Sequence, residues 1–177
     1  MNKKLVYWQV GGFVFTAVLG TLLHFFFDWT GGSIVAAIFS AVNESIWEHI
    51  KLLFYPMFLF AAVEYAVIGR DYRDFWWVKL TGSLLGLVLI PVLYYSYTGI
   101  LGVSADWFNV TIFFIVAAVV FWVETRLFLS KAVCPLPDRL AFVLMCIIGV
   151  VFTVLTFLTP QIPLFADPIT GTYGFQR

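Results

Sequence analysis

Charge is what this sequence has least of. Only 11% of its 177 residues are Asp, Glu, Lys or Arg, where a soluble domain carries about 25%. That scarcity excludes an ordinary soluble domain. It also excludes a disordered chain, which needs low hydrophobicity and high net charge. Ten basic residues balance ten acidic ones, so there is no basic surface for nucleic acid. With two cysteines, Cys134 and Cys146, no disulfide framework can be built. No internal repeat is visible, so an inverted-repeat transporter within one chain finds no support. What is abundant is apolar surface: 62% hydrophobic residues, one residue in five aromatic, and a mean hydropathy of +0.98. The composition defines one small multi-pass membrane domain, all-α, with the lipid bilayer as its first partner.

A membrane helix needs about 20 mostly apolar residues. Five stretches satisfy this: 5–27, 44–69, 76–98, 107–129 and 139–159. The first resembles a signal peptide, but it runs on to Trp29 without an Ala-x-Ala site, so it reads as a retained helix. Residues 33–42 are too short to cross and follow Gly31-Gly32, which predicts a re-entrant or interfacial segment. Asn43 reads as the cap of the next helix, and Pro56 as a kink within it. The spans form a domain over 1–159. The apolar tail 160–177, punctuated by proline and glycine, is expected to pack over the outer mouth of the bundle.

Eight of the ten basic residues fall on one side under five spans: Lys3, Lys4, Arg70, Arg73, Lys79, Arg126, Lys131 and Arg139. The exceptions are Lys51 and Arg177. The positive-inside rule then puts the N-terminus in the cytoplasm and the tail outside the cell membrane. Trp29, Trp47 and Trp107 are expected at the outer interface, and Trp76, Trp77 and Trp122 at the inner one. Gly12, Thr16, Gly20, His24 and Asp28 recur every four residues on the first span, and Gly82 and Gly86 on the third, as in close helix packing.

Polar residues in such a background are informative, because ionisable groups in membrane segments are costly. Both histidines fall in one region. His24 and Asp28 end the first span, and the second opens Asn43-Glu44-Ser45-Ile46-Trp47-Glu48-His49-Ile50-Lys51. At 100° per residue, Glu44, Glu48, Lys51 and Tyr55 share a stripe, with His49 beside it. Imidazole with carboxylate is the ligand set of Zn, Mn or Fe. The expected metal ligands are His24, Asp28, Glu48 and His49. Glu44 and Glu48 are the candidate acid/base pair, and Lys51 and Tyr55 contact the ligand. Each also has a structural reading: Glu44 complements a helix dipole, Glu48 and Lys51 form an i,i+3 ion pair, and His24 is a packing residue. Glu64 and Glu124, deeper in their spans, are relay groups or partners of Arg70 and Arg126. Tyr94, Tyr95 and Tyr97 line the same mouth or belong to the aromatic belt.

Asn43-Glu44-Ser45-x-Trp47-Glu48-His49-x-Lys51, with Asp167-Pro168-x-Thr170-Gly171-x-Tyr173-Gly174 in the tail, resembles an uncharacterised family of small prokaryotic multi-pass membrane proteins. The resemblance implies a bacterial integral membrane protein and supplies no activity. Ceramidase-like membrane hydrolases carry a late His-x-x-x-His pair that this chain lacks, which argues against a zinc amidase of that kind. Three functions stay open. The first is a metal-dependent hydrolase acting on lipid or a small polar substrate at the outer face. The second is a binding or transport module for a cation or small molecule, working as a homo-oligomer. The third is a structural subunit whose polar cluster joins helices.

Overall fold

The computed structural model describes residues 3–130, 134 and 136–176; Lys131 and Arg177, counted above for orientation, lie outside them. Six α-helices account for most of the chain: α1 (Lys3–Trp29), α2 (Ile34–Phe39), α3 (Ile46–Val67), α4 (Phe75–Leu101), α5 (Asp106–Ser130) and α6 (Asp138–Phe157). Short 3₁₀ turns follow α3 at Gly69–Asp71 and α6 at Pro163–Phe165. Among the described residues there is no strand, only one isolated bridge between Ala166 and Tyr173. The five long helices are each long and apolar enough to cross a membrane.

The most buried helix is α3. It packs on α1, α4 and α6, while α5 closes the bundle against α1 and α4. Small residues on α1 allow a close approach to α3. Gly12, Thr16 and Gly20 are buried on one face, and a Cβ placed at Gly20 would lie 2.9 Å from the carbonyl oxygen of Leu52. Pro56 is the residue four positions on from Leu52 and has no N–H to offer that carbonyl. The proline therefore opens the α3 ladder where Gly20 lets α1 come close.

Beyond α1 the chain turns at Gly31 and Gly32, whose amides donate to Asp28 and Phe27, and then returns as the six-residue α2. Ser40, at the end of α2, reaches back to α1. Its hydroxyl accepts from the Phe27 amide at 2.9 Å and donates to the Leu23 carbonyl. Those two groups are an i→i−4 pair of α1, so the hydroxyl stands within the ladder beside His24. The carbonyl of Ala37, one of the last in α2, accepts from Lys51 Nζ at 2.9 Å. A cation at a helix C-terminus complements both the orphan carbonyl and the dipole.

The tryptophans expected at the interfaces differ in exposure. Trp29, Trp107 and Trp122 are exposed, but Trp47 packs between Phe152 and Phe165, each with centroids 4.6 Å away. Trp76 is buried against Phe142 at 4.7 Å. Aromatic density alone does not distinguish a belt from a core. The partners of Glu64 and Glu124 are corrected. Neither meets an arginine; both bind Lys79, which lies inside the bundle rather than in a loop.

Candidate functional site

The segment between α2 and α3 is folded by its own side chains. Asn43 Oδ1 accepts from the Ser45 amide at 3.0 Å, an Asx turn. Ser45, not Asn43, is the N-cap, its hydroxyl accepting from the Glu48 amide. This leaves Glu44 just before the helix, half-exposed, with its carboxylate directed at both histidines.

Glu44 Oε1 lies 3.7 Å from His24 Nε2, and Glu44 Oε2 lies 3.5 Å from His49 Nε2. The imidazole centroids are 5.3 Å apart. One ligand atom from each of the three residues lies within 4.8 Å of the other two. His49 Nδ1 is 2.9 Å from the Ser45 carbonyl. A carbonyl can only accept, so Nδ1 carries the hydrogen and it is Nε2 that faces Glu44. A backbone carbonyl holding the far nitrogen is the usual support of a metal-binding histidine. The separations are long for direct hydrogen bonds. Two atoms each at 2.0–2.1 Å from tetrahedral zinc are about 3.3 Å apart, so the three side chains, which approach through different Glu44 oxygens, have to close further to share one ion.

The other expected site residues go elsewhere. Glu48 and Lys51 are sealed at 1% and 0% side-chain exposure, with Lys51 Nζ 2.5 Å from Glu48 Oε2. Glu48 Oε1 accepts from Thr156 Oγ1 of α6 at 2.9 Å, and Oε2 from the Val42 amide at 3.2 Å. The partners of this pair are one another, Val42, Ala37 and Thr156, and neither residue belongs to the His24, Glu44 and His49 cluster. Tyr55 donates to the Gly149 carbonyl at 2.8 Å and joins α3 to α6. Asp28 is exposed one turn beyond His24 and is not one of the three clustered residues. The helical stripe placed Glu44, Glu48 and Lys51 together, but Glu44 precedes the helix, so the helical angle does not apply to it.

Two cavities flank the group. One of about 220 Å³ is walled by Glu44 and His49 on one side and by Tyr94, Ser104, Asp106 and Asn109 on the other, with Pro168 and Ile169 from the tail. The second, of about 160 Å³, is lined by His24, His49, Gly20, Leu52, Phe113 and Phe114, between α1 and α5. Asp106 and Asn109 were not singled out above. Their signal was present, as two of the few polar residues at the N-terminal end of α5.

The tail completes the rim. Asp167 Oδ1 accepts from the amides of Ile169 at 2.8 Å and Thr170 at 3.2 Å. Burial pushes the Asp167 carboxyl up, but these amides, the Thr170 hydroxyl and the Glu44 amide outweigh it and hold it below the usual carboxylate range. Asn43 Nδ2 donates to the Gly174 carbonyl at 3.2 Å, and the Phe175 amide to Thr156 at 3.0 Å. Gly174 has φ 61°, and a Cβ there would lie 2.8 Å from the Thr156 carbonyl. No larger residue fits that conformation and that space together.

A helical bundle of five apolar spans, with a His/Glu group at one end, is the build of a multi-pass membrane protein carrying a candidate metal centre. The chain belongs to DUF6512, a family of unknown function, whose profile matches residues 1–175. No curated protein and no solved structure matches it.

Proposed function

We propose that this protein is a membrane-embedded, metal-dependent hydrolase acting on a lipid-like substrate at the extracytoplasmic face. The observation that carries this reading is the trio His24, Glu44 and His49, with His49 Nε2 turned toward Glu44 while Nδ1 meets the Ser45 carbonyl. Two histidines and one carboxylate suit a catalytic zinc with its fourth position left to water. Such an ion makes its water acidic enough to attack at neutral pH. With Glu44 engaged as a ligand, Asp106 is the carboxylate across the cavity and takes the acid/base role. In the reaction the water's oxygen joins the acyl or phosphoryl centre, and its proton leaves on the departing oxygen or nitrogen.

The apolar cavity supports a lipid over a small polar substrate, because it meets the polar one at His49, Asn109 and Phe113. A substrate with a hydrocarbon chain and a polar head would straddle the metal. The orientation rests on six described basic residues at the α1 N-terminal end: Lys3, Lys4, Arg70, Arg73, Arg126 and Arg139. The test is metal analysis of purified protein before and after chelation, followed by assay of ester- and phosphate-bearing lipids. One bound divalent ion and chelator-sensitive turnover are expected. Protein without stoichiometric metal overturns the reading. Bound metal without turnover, but with cation flux in proteoliposomes, replaces it with transport.

A further inference from the structure

At the opposite end of the bundle lies a second ionic group that the proposed chemistry does not use. Lys79 Nζ of α4 is 2.6 Å from Glu64 Oε2 of α3 and 2.6 Å from Glu124 Oε2 of α5. All three side chains are at most 3% exposed. By the helical rise they lie roughly 5–9 Å inside the nearest helix ends. Phe75, Phe121 and Phe128 surround the ammonium, their centroids 5.5–5.6 Å away. From α1, the uncharged Gln9 donates Nε2 to Glu64 Oε1 at 2.8 Å. Tyr72, in the α3–α4 turn, lies within the field of Glu64. Among the described residues these are the titratable and charged groups facing the triad, together with Arg126 on the wall of the neighbouring cavity.

One ammonium and two carboxylates leave a net charge of −1 in an apolar interior. An uncompensated buried charge costs several kcal/mol or more. We propose that the Glu64–Lys79–Glu124 triad is a proton-binding site holding one exchangeable proton on its carboxylates. Two buried acceptors stand ready. Gln9 Oε1 and Glu124 Oε1 have no hydrogen-bond partner, and the Gln9 side chain is 2% exposed. A primary amide suits a group that changes protonation: it donates to a carboxylate and, turned over, accepts from a carboxylic acid. A metal cation fits less well. Lys79 already fills the space between the carboxylates, whereas a proton needs no cavity of its own. Access is at hand, since Gln9 also lines a cavity of about 380 Å³ between α1 and α5 with Phe121, Thr125 and Arg126.

The test is infrared spectroscopy of the full chain at neutral pH in detergent or nanodiscs, reading the carbonyl stretch of carboxylic acids, which carboxylates lack. Carbon-13 labelling of glutamate carboxyls assigns the band to the four glutamates. Wild type is expected to show one protonated glutamate. Glu64→Gln or Glu124→Gln balances the lysine and removes the band. Lys79→Met leaves two carboxylates without a cation and doubles it. If a variant fails to fold, the labelled wild-type spectrum still decides. No glutamic-acid band at neutral pH, a band surviving both glutamine variants, or a band that grows when sodium is replaced by choline overturns the proposal.

Discussion

Lys51 Nζ sits 2.5 Å from Glu48 Oε2, one helical turn apart on α3, with both side chains closed off from solvent. The same ammonium bonds Ala37 of α2 and Thr156 of α6. One ion pair thus joins three helices behind the candidate metal group.

Removing one member leaves a buried charge alone. Glu48→Gln and Lys51→Met are each expected to lower stability by about 3–5 kcal/mol. The double variant should lose less than the sum, because no unpaired charge remains. Thermal unfolding in detergent checks this; full additivity would refute the coupling.

Single replacements of the proposed ligands should behave in the opposite way. His24→Ala, His49→Ala and Glu44→Gln leave half-exposed positions, so stability should change by about 0.5 kcal/mol or less. Metal content should fall from one per chain to background. Asp106→Asn should retain the metal and lose turnover. Elemental analysis and lipid assay on the same preparations separate the two outcomes.

The tail should detach in acid. The folded Asp167 carboxyl is held below its ordinary value, so its contribution is complete above the unfolded value of about 3.9. It is lost as pH falls through the lower, folded value. Trp47 reports the event, since Phe165 packs on it. A fluorescence transition below about pH 4 is expected, and Asp167→Asn should abolish its pH dependence. An identical transition in the variant would assign it elsewhere.

Orientation is checked by labelling. Cys134, partly exposed before α6, should react with an impermeant maleimide only after cells are permeabilised. Labelling of intact cells would reverse the topology.

The five long helices were legible because length and hydropathy decide them locally. Lys79 was not. Its position four residues into α4 reads as a snorkelling loop lysine, and only packing against Glu64 and Glu124, distant in sequence, draws it inward. The site was legible in part for a related reason. His24, Glu44 and His49 were visible as rare polar groups, and the structure brings those three together. Glu48 carries the same chemistry and lies one residue from His49, yet the 100° step between neighbours turns it to the α6 side. The lining of the cavity by Asp106 and Asn109 depends on how α5 meets α3 and α4, which no local pattern encodes.

A formally neutral chain need not be electrically even. Because Lys51 is neutralised inside, the described residues at the α1 C-terminal end offer carboxylates at Asp28, Glu44, Asp106 and Asp167 and no exposed ammonium or guanidinium. The opposite end carries Lys3, Lys4 and four arginines, which outnumber Asp71, Asp74 and Asp138 there. The molecule is therefore polarised along the bundle axis. Its acidic pole enriches cations from solution before any of them reaches His24 and His49. That enrichment weakens as salt shortens the Debye length, about 10 Å at 0.1 M, so cation capture by this protein should be faster in dilute media than in brine.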